Sequence, residues 1–85
     1  MSMIQVVFFA RVREDLGCES LSLELPPQMR SVGKVREVLM RRGPSWERVL
    51  SEENIVAACN HAVVDDSHIV QPGDEVAFYP PVTGG

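Results

Sequence analysis

The chain ends in Pro80-Pro81-Val82-Thr83-Gly84-Gly85, and its last two residues are the ones best suited to chemistry. A free C-terminal carboxylate is a poor acyl donor. ATP can convert such a group to an acyl-adenylate, and a sulfur nucleophile can then displace AMP and leave a thiocarboxylate. A thiocarboxylate is ionised at neutral pH, and nucleophilic sulfur chemistry runs through the anion. An activating enzyme must thread the terminus to its bound ATP, and glycines let backbone pass where a Cβ would collide. Gly85 is therefore the candidate reacting residue and Gly84 the candidate threading residue. The competing reading is a frayed terminus, because nothing in this tail can pack a core.

The other reactive side chains form no recognisable constellation. Cys18 and Cys59 are far apart and lack C-x-x-C spacing, and His61 and His68 do not complete a metal-ligand pattern. The expectation is no metal and two free thiols in a reducing compartment, hence a cytoplasmic protein. His61 reads as a solvated turn residue, and Arg11 and Arg13 as solvated cations with acidic partner groups as the alternative. No general acid–base pair is evident, so any catalytic group would come from a partner. A net charge of −4 disfavours nucleic acid. Lys34 is the sole lysine, which leaves a chain-building modifier little to work with. The longest apolar run, Val6 to Ala10, falls far short of the ~20 residues a membrane span needs. No signal peptide is visible, and the reading expects no membrane.

Such a tail needs a small rigid body behind it. The chain has 85 residues, of which 45% are hydrophobic, enough for one domain with a thin core. Ile4 to Ala10 reads as a strand with Ile4, Val6, Phe8 and Ala10 on one face and Val7 and Phe9 on the other. Arg11 to Glu19 reads as a polar link with a turn at Gly17. Leu21, Leu23 and Leu25 alternate with polar residues as a half-buried strand, stopped by Pro26-Pro27. Ser31 is an N-cap candidate, and Val32, Val35, Val38 and Leu39 follow at helical spacing up to Gly43-Pro44. Ser45 to Leu50 reads as a short helical turn with Trp46 as a core plug. Ile55 to Cys59 is a third strand, turned tightly at Asn60-His61 into Ala62-Val63-Val64. Gln71-Pro72-Gly73-Asp74 is a turn, and Glu75 to Tyr79 is the last strand.

The principal order, β-β-α-β-β, predicts an α+β fold of the β-grasp (ubiquitin-like) kind. It has a mixed sheet, one main helix on one face, and the first and last strands parallel in the centre. Residues 1–79 are expected to form this domain and residues 80–85 an extended flexible tail.

Three stretches carry a resemblance: Ile4–Glu14 (IQVVFFARVRE), Ala57–Asn60 (AACN) and Pro72–Gly85 (PGDEVAFYPPVTGG). The chain resembles the small-subunit family of molybdopterin synthase, the sulfur carriers of molybdenum cofactor synthesis. That resemblance implies adenylation of Gly85 by an ATP-using enzyme of the ubiquitin-activating type, with no cofactor bound by the carrier itself. It implies conversion to a C-terminal thiocarboxylate and insertion of the tail into the synthase large subunit. There the sulfur would pass to cyclic pyranopterin monophosphate, within a heterotetramer. The partner-binding positions it implies are Phe9, Val63 and Tyr79 on an apolar sheet face, together with Pro80, Pro81, Val82 and Thr83. Phe9 and Tyr79 do alternate away from Phe8 and Phe78, so both fall opposite the helix-side core. Tyr79 adds a hydroxyl and Val63 is small, either of which would retune docking. Other readings are a carrier for thiamine thiazole synthesis, a ubiquitin-like modifier joined to lysines, and a binding domain whose Gly-Gly is incidental.

Overall fold

The computed structural model describes residues 3–24 and 30–81. Leu25, Pro26-Pro27, Val82, Thr83, Gly84 and Gly85 lie outside the described residues.

Among the described residues five strands form one mixed sheet: β1 Met3–Phe8, β2 Ser20–Glu24, β3 Val56–Cys59, β4 Ala62–Val64 and β5 Glu75–Tyr79. Their spatial order is β2-β1-β5-β3-β4. The central pair, β1 and β5, is parallel, with Val6 opposite Val76 and Phe8 opposite Phe78. Antiparallel partners flank it, β2 against β1 and β3 against β5. The β-grasp expectation therefore holds.

Among the described residues three helices connect the strands: α1 Ala10–Leu16, α2 Val32–Met40 and α3 Pro44–Leu50. In α2 the Ser31 hydroxyl accepts the Lys34 N–H at 3.2 Å, which satisfies one of the free donors of the first turn. Gly33, an unhelpful residue for helix propensity, has a packing reason. A Cβ there would lie 3.2 Å from the Asp66 Cβ and 3.3 Å from the Asp66 carbonyl, which itself accepts the Gly33 N–H at 2.9 Å. The 65–70 loop thus lies directly against the start of α2. Pro44 occupies the first turn of α3, where its missing N–H costs nothing.

The core lies between the sheet and α2. Ile4, Val6, Phe8, Ala57, Val76 and Phe78 face Val32, Val35, Leu39 and Leu50, all buried. Trp46 meets the edge of Phe8 with ring centroids 5.5 Å apart, and Arg42 lies 4.8 Å over the indole. The core-plug expectation for Trp46 is met with one side open. Arg36 shares the inward face of α2. Its guanidinium donates to the Leu50 carbonyl at 3.0 Å and to Asp66 at 3.2 Å, and lies over the Phe78 ring.

Two local expectations are corrected. β1 stops at Phe8 and not Ala10, and Ala10 is exposed. The Arg11–Glu19 link contains a helix, α1, in place of a polar turn. Its apolar stripe is short: Val12 is buried and Leu16, one helical turn on, packs against the core rim. Gly17 closes it in left-handed backbone (φ 64°), its N–H donating to the Arg13 carbonyl. Arg11, read as solvated, pairs with Glu52 at 3.3 Å and remains half exposed.

Candidate partner-binding face

The outer face of the sheet follows from strand register. Val7 lies opposite Ala77, Ala77 opposite Ala58, and Ala58 opposite Val63, so these four share one row across four strands. On either side of it lie Gln5 with Glu75 and Val56 with Tyr79. α2 packs against the opposite face, and among the described residues no element covers this one.

The row is low because its centre is alanine. Around Ala58 and Ala77 the surface dips into an open depression of about 400 Å³. Phe9, Ala10, Tyr79 and Pro80 line it at one end, and His61 and Glu75 at the other. Phe9 is 47% exposed although fully apolar. It is the N-cap residue of α1 in extended backbone, and its N–H donates to the Phe78 carbonyl, which extends the central ladder by one residue. Ala10 then takes a positive φ of 52°. Backbone of this kind is uncommon outside glycine and clusters at functional sites. The turn it makes carries the chain into α1 and leaves the Phe9 ring outward.

The opposite end is set by the β3–β4 turn, where Asn60 (φ 50°) and His61 (φ 73°) are both left-handed. Two such residues in succession define the hairpin turn whose twist matches the flanking strands. The Asn60 amide holds the turn against the start of β5. Its Nδ2 donates to Asp74 at 3.0 Å, and its Oδ1 accepts the Glu75 N–H at 3.0 Å. Asp74 also accepts from the Gln71 N–H and the Cys59 thiol. These bonds hold the Asp74 carboxyl below the usual carboxylate range, the Gln71 N–H contributing most. Burial, aided by the neighbouring Asp74, pushes the Cys59 thiol up to about 11. Both cysteines are free, Cys59 buried and Cys18 half-buried. The AACN and PGDE stretches are thus two halves of one structural clasp.

The structure brings Phe9, Tyr79 and Pro80 together. Val63 shares their face and the alanine row but sits on β4 outside the depression, 70% exposed. Pro81 is exposed where the chain leaves β5. Ala58, Ala77, His61 and Glu75 were not singled out from sequence as face residues. Period-two alternation back from Tyr79 yields Ala77 and Glu75. Ala58 and His61 require the β3–β5 register.

The family model described as the ThiS family matches residues 6–85. The chain belongs to the ThiS family. This ThiS-family chain is 39% identical over 83 residues to the molybdopterin synthase sulfur carrier subunit of Escherichia coli K12, covering 98% of this chain and all of that one. Its fold is similar to that of SAMP1 from Haloferax volcanii, with TM-score 0.80, 22% identity, and 98% and 99% of the two chains covered. It is also similar to a chain of the complex of subunits 1 and 2 of molybdopterin-converting factor from Helicobacter pylori 26695 (TM-score 0.69, 21% identity, 98% and 99% covered). Among the described residues, no helix is long and apolar enough to cross a membrane.

Proposed function

We propose that this chain is the sulfur carrier subunit of molybdopterin synthase. The observation that carries the reading is the continuity of face and exit. β5 runs along the apolar depression and hands the chain through Pro80 to exposed Pro81 at its Phe9 end. A partner seated on this face is therefore brought beside Pro81, where the chain leaves β5. The full-length similarity to the Escherichia coli carrier and a family match through residue 85 support the same assignment.

In the proposed cycle an adenylating enzyme joins the Gly85 carboxylate to AMP from ATP, releasing pyrophosphate. A sulfide equivalent displaces AMP and leaves the thiocarboxylate. In the large subunit that sulfur attacks an electrophilic carbon of cyclic pyranopterin monophosphate. The C–O bond at that carbon breaks, its oxygen substituent departs with a proton, and a thioester forms between Gly85 and the pterin side chain. Water then cleaves the acyl–sulfur bond, which leaves sulfur on the pterin and returns the Gly85 carboxylate. The carrier contributes a docking face, a positioned exit and the acyl terminus, and the proton-transfer groups belong to its partners. A two-subunit assembly in the molybdopterin-converting factor of Helicobacter pylori supports a large-subunit partner.

The test is direct. The chain prepared with a thiocarboxylate at Gly85 is mixed with a synthase large subunit and cyclic pyranopterin monophosphate, and molybdopterin is assayed. Product that depends on the thiocarboxylate is expected. No product from a large subunit that works with its own carrier would overturn the proposal.

A further inference from the structure

The depression is apolar at the Phe9–Tyr79 end and charged at the other. Among the described residues that line it, the single carboxylate is that of Glu75, whose side chain is 40% exposed. Among the described residues its ion-pair partner is His61, with Nε2 3.6 Å from Oε1. That imidazole is 88% exposed and is a cation only when protonated. The nearest other carboxylate, Asp74, is occupied by Gln71, Asn60 and Cys59. Glu75 thus presents a carboxylate at the end of an apolar floor, with at most a conditional counter-charge.

We infer that this face selects a partner segment presenting an apolar side chain next to an arginine or lysine. The apolar group seats on Ala58 and Ala77 between Phe9 and Tyr79, and the cation reaches Glu75. His61 is the internal competitor for that carboxylate. Charge complementarity argues for the occupant: an apolar partner surface alone would strand Glu75 without water or a counter-ion on docking, and an acidic one would meet like charge. The chain's net charge of −4 favours a basic partner at longer range.

The groups facing His61 are few. Glu75 faces it from β5, and the Tyr79 hydroxyl lies farther along the same strand face. Opposite Glu75, β1 contributes the neutral Gln5. His68 acts on Asp74 from the loop beyond β4. A charged His61 therefore chiefly changes how available Glu75 is, by competing for its carboxylate.

The inference rests on the carrier reading, and its test separates the two. The Escherichia coli synthase large subunit is titrated calorimetrically with the full chain and with Glu75→Gln, His61→Asn and Phe9→Asp, each checked by thermal melt. Asparagine tolerates the left-handed backbone at position 61. Glu75→Gln should raise Kd about 10-fold in low salt, with the gap shrinking as salt is added. His61→Asn should tighten binding by up to about 3-fold, because it removes the internal competitor for Glu75. Convergence of the Glu75→Gln and unaltered affinities in high salt, as screening weakens the unaltered chain, would not occur if the loss in Glu75→Gln came from misfolding. Normal binding by Glu75→Gln, with Phe9→Asp impaired, would overturn this inference and leave the carrier reading standing. Failure of the unaltered chain to bind would overturn the carrier reading and this inference with it.

Discussion

Phe9 is an apolar ring left exposed and Cys59 a thiol held buried, and the two make opposite predictions. Phe9 is N-terminal to α1 with nearly half its surface in water, so its replacement by aspartate removes little packing. Phe9→Asp is expected to lower stability by under about 1 kcal/mol, the range of surface substitutions, while weakening large-subunit binding at least 10-fold. A melt paired with calorimetry distinguishes this from a core role, in which stability would fall and binding by the folded fraction would persist. For Cys59 the sign is set by a folded-state pKa of about 11 against an ordinary 9.0. Below 9 the thiol is protonated whether folded or not, so its contribution is fully present. It is lost as pH rises through about 11, because the unfolded chain ionises first. Titration with a chromogenic disulfide at mildly alkaline pH should therefore release rapid colour from Cys18 alone, with Cys59 reacting after denaturation. Rapid reaction of both thiols would show that Cys59 is open to solvent.

At the scale of elements, the clasp between the β3–β4 turn and the start of β5 holds the charged end of the depression. Asp74 anchors it, and its carboxyl is held below its ordinary 3.8 by those hydrogen bonds. The stabilisation is present above that value and is lost as pH falls through the lowered folded pKa. Asp74→Ala should cost about 1–2 kcal/mol at neutral pH and flatten the acid limb of a pH–stability curve, measured by urea unfolding. An unchanged acid limb would place the acid sensitivity elsewhere. Arg36 plays the matching part on the helix side, tying α2 to α3 and to the 65–70 loop. Its guanidinium is largely enclosed, so Arg36→Ala should cost about 2–3 kcal/mol by the same measurement, and a cost near zero would mean that water replaces all its contacts.

These elements were unevenly legible in the sequence. The strands announced themselves through β-branched and alternating residues, and the parallel central pair followed from their order. α1 did not, because Val12 and Leu16 are its whole apolar stripe and the remaining residues are polar enough for a loop. The aromatic end of the face was legible because alternation separates Phe9 from Phe8 and Tyr79 from Phe78. The charged end was not. His61 and Glu75 are fourteen positions apart in sequence and meet only through the β3–β5 register and the Asn60 turn. The motif stretches AACN and PGDE were visible separately, and their contact is tertiary.

For the whole molecule, the proposed chemistry at Gly85 predicts that body and terminus can be separated by experiment. Among the described residues, every core residue lies between Ile4 and Phe78. Removing Gly85, or adding one residue after it, should therefore leave the melting temperature unchanged within error and abolish sulfur transfer. Retained transfer with either change would refute the proposed chemistry.

The parallel pairing of β1 with β5 has a mechanical consequence. Chain entry at Met3 and chain exit at Pro80 lie at opposite ends of two adjacent, hydrogen-bonded strands. Tension applied between those points loads the rungs of that ladder side by side, in shear, so they must yield together. A molecular motor pulling this carrier apart from its two ends would meet its stiffest element first, and the rupture force would report on the central strands alone.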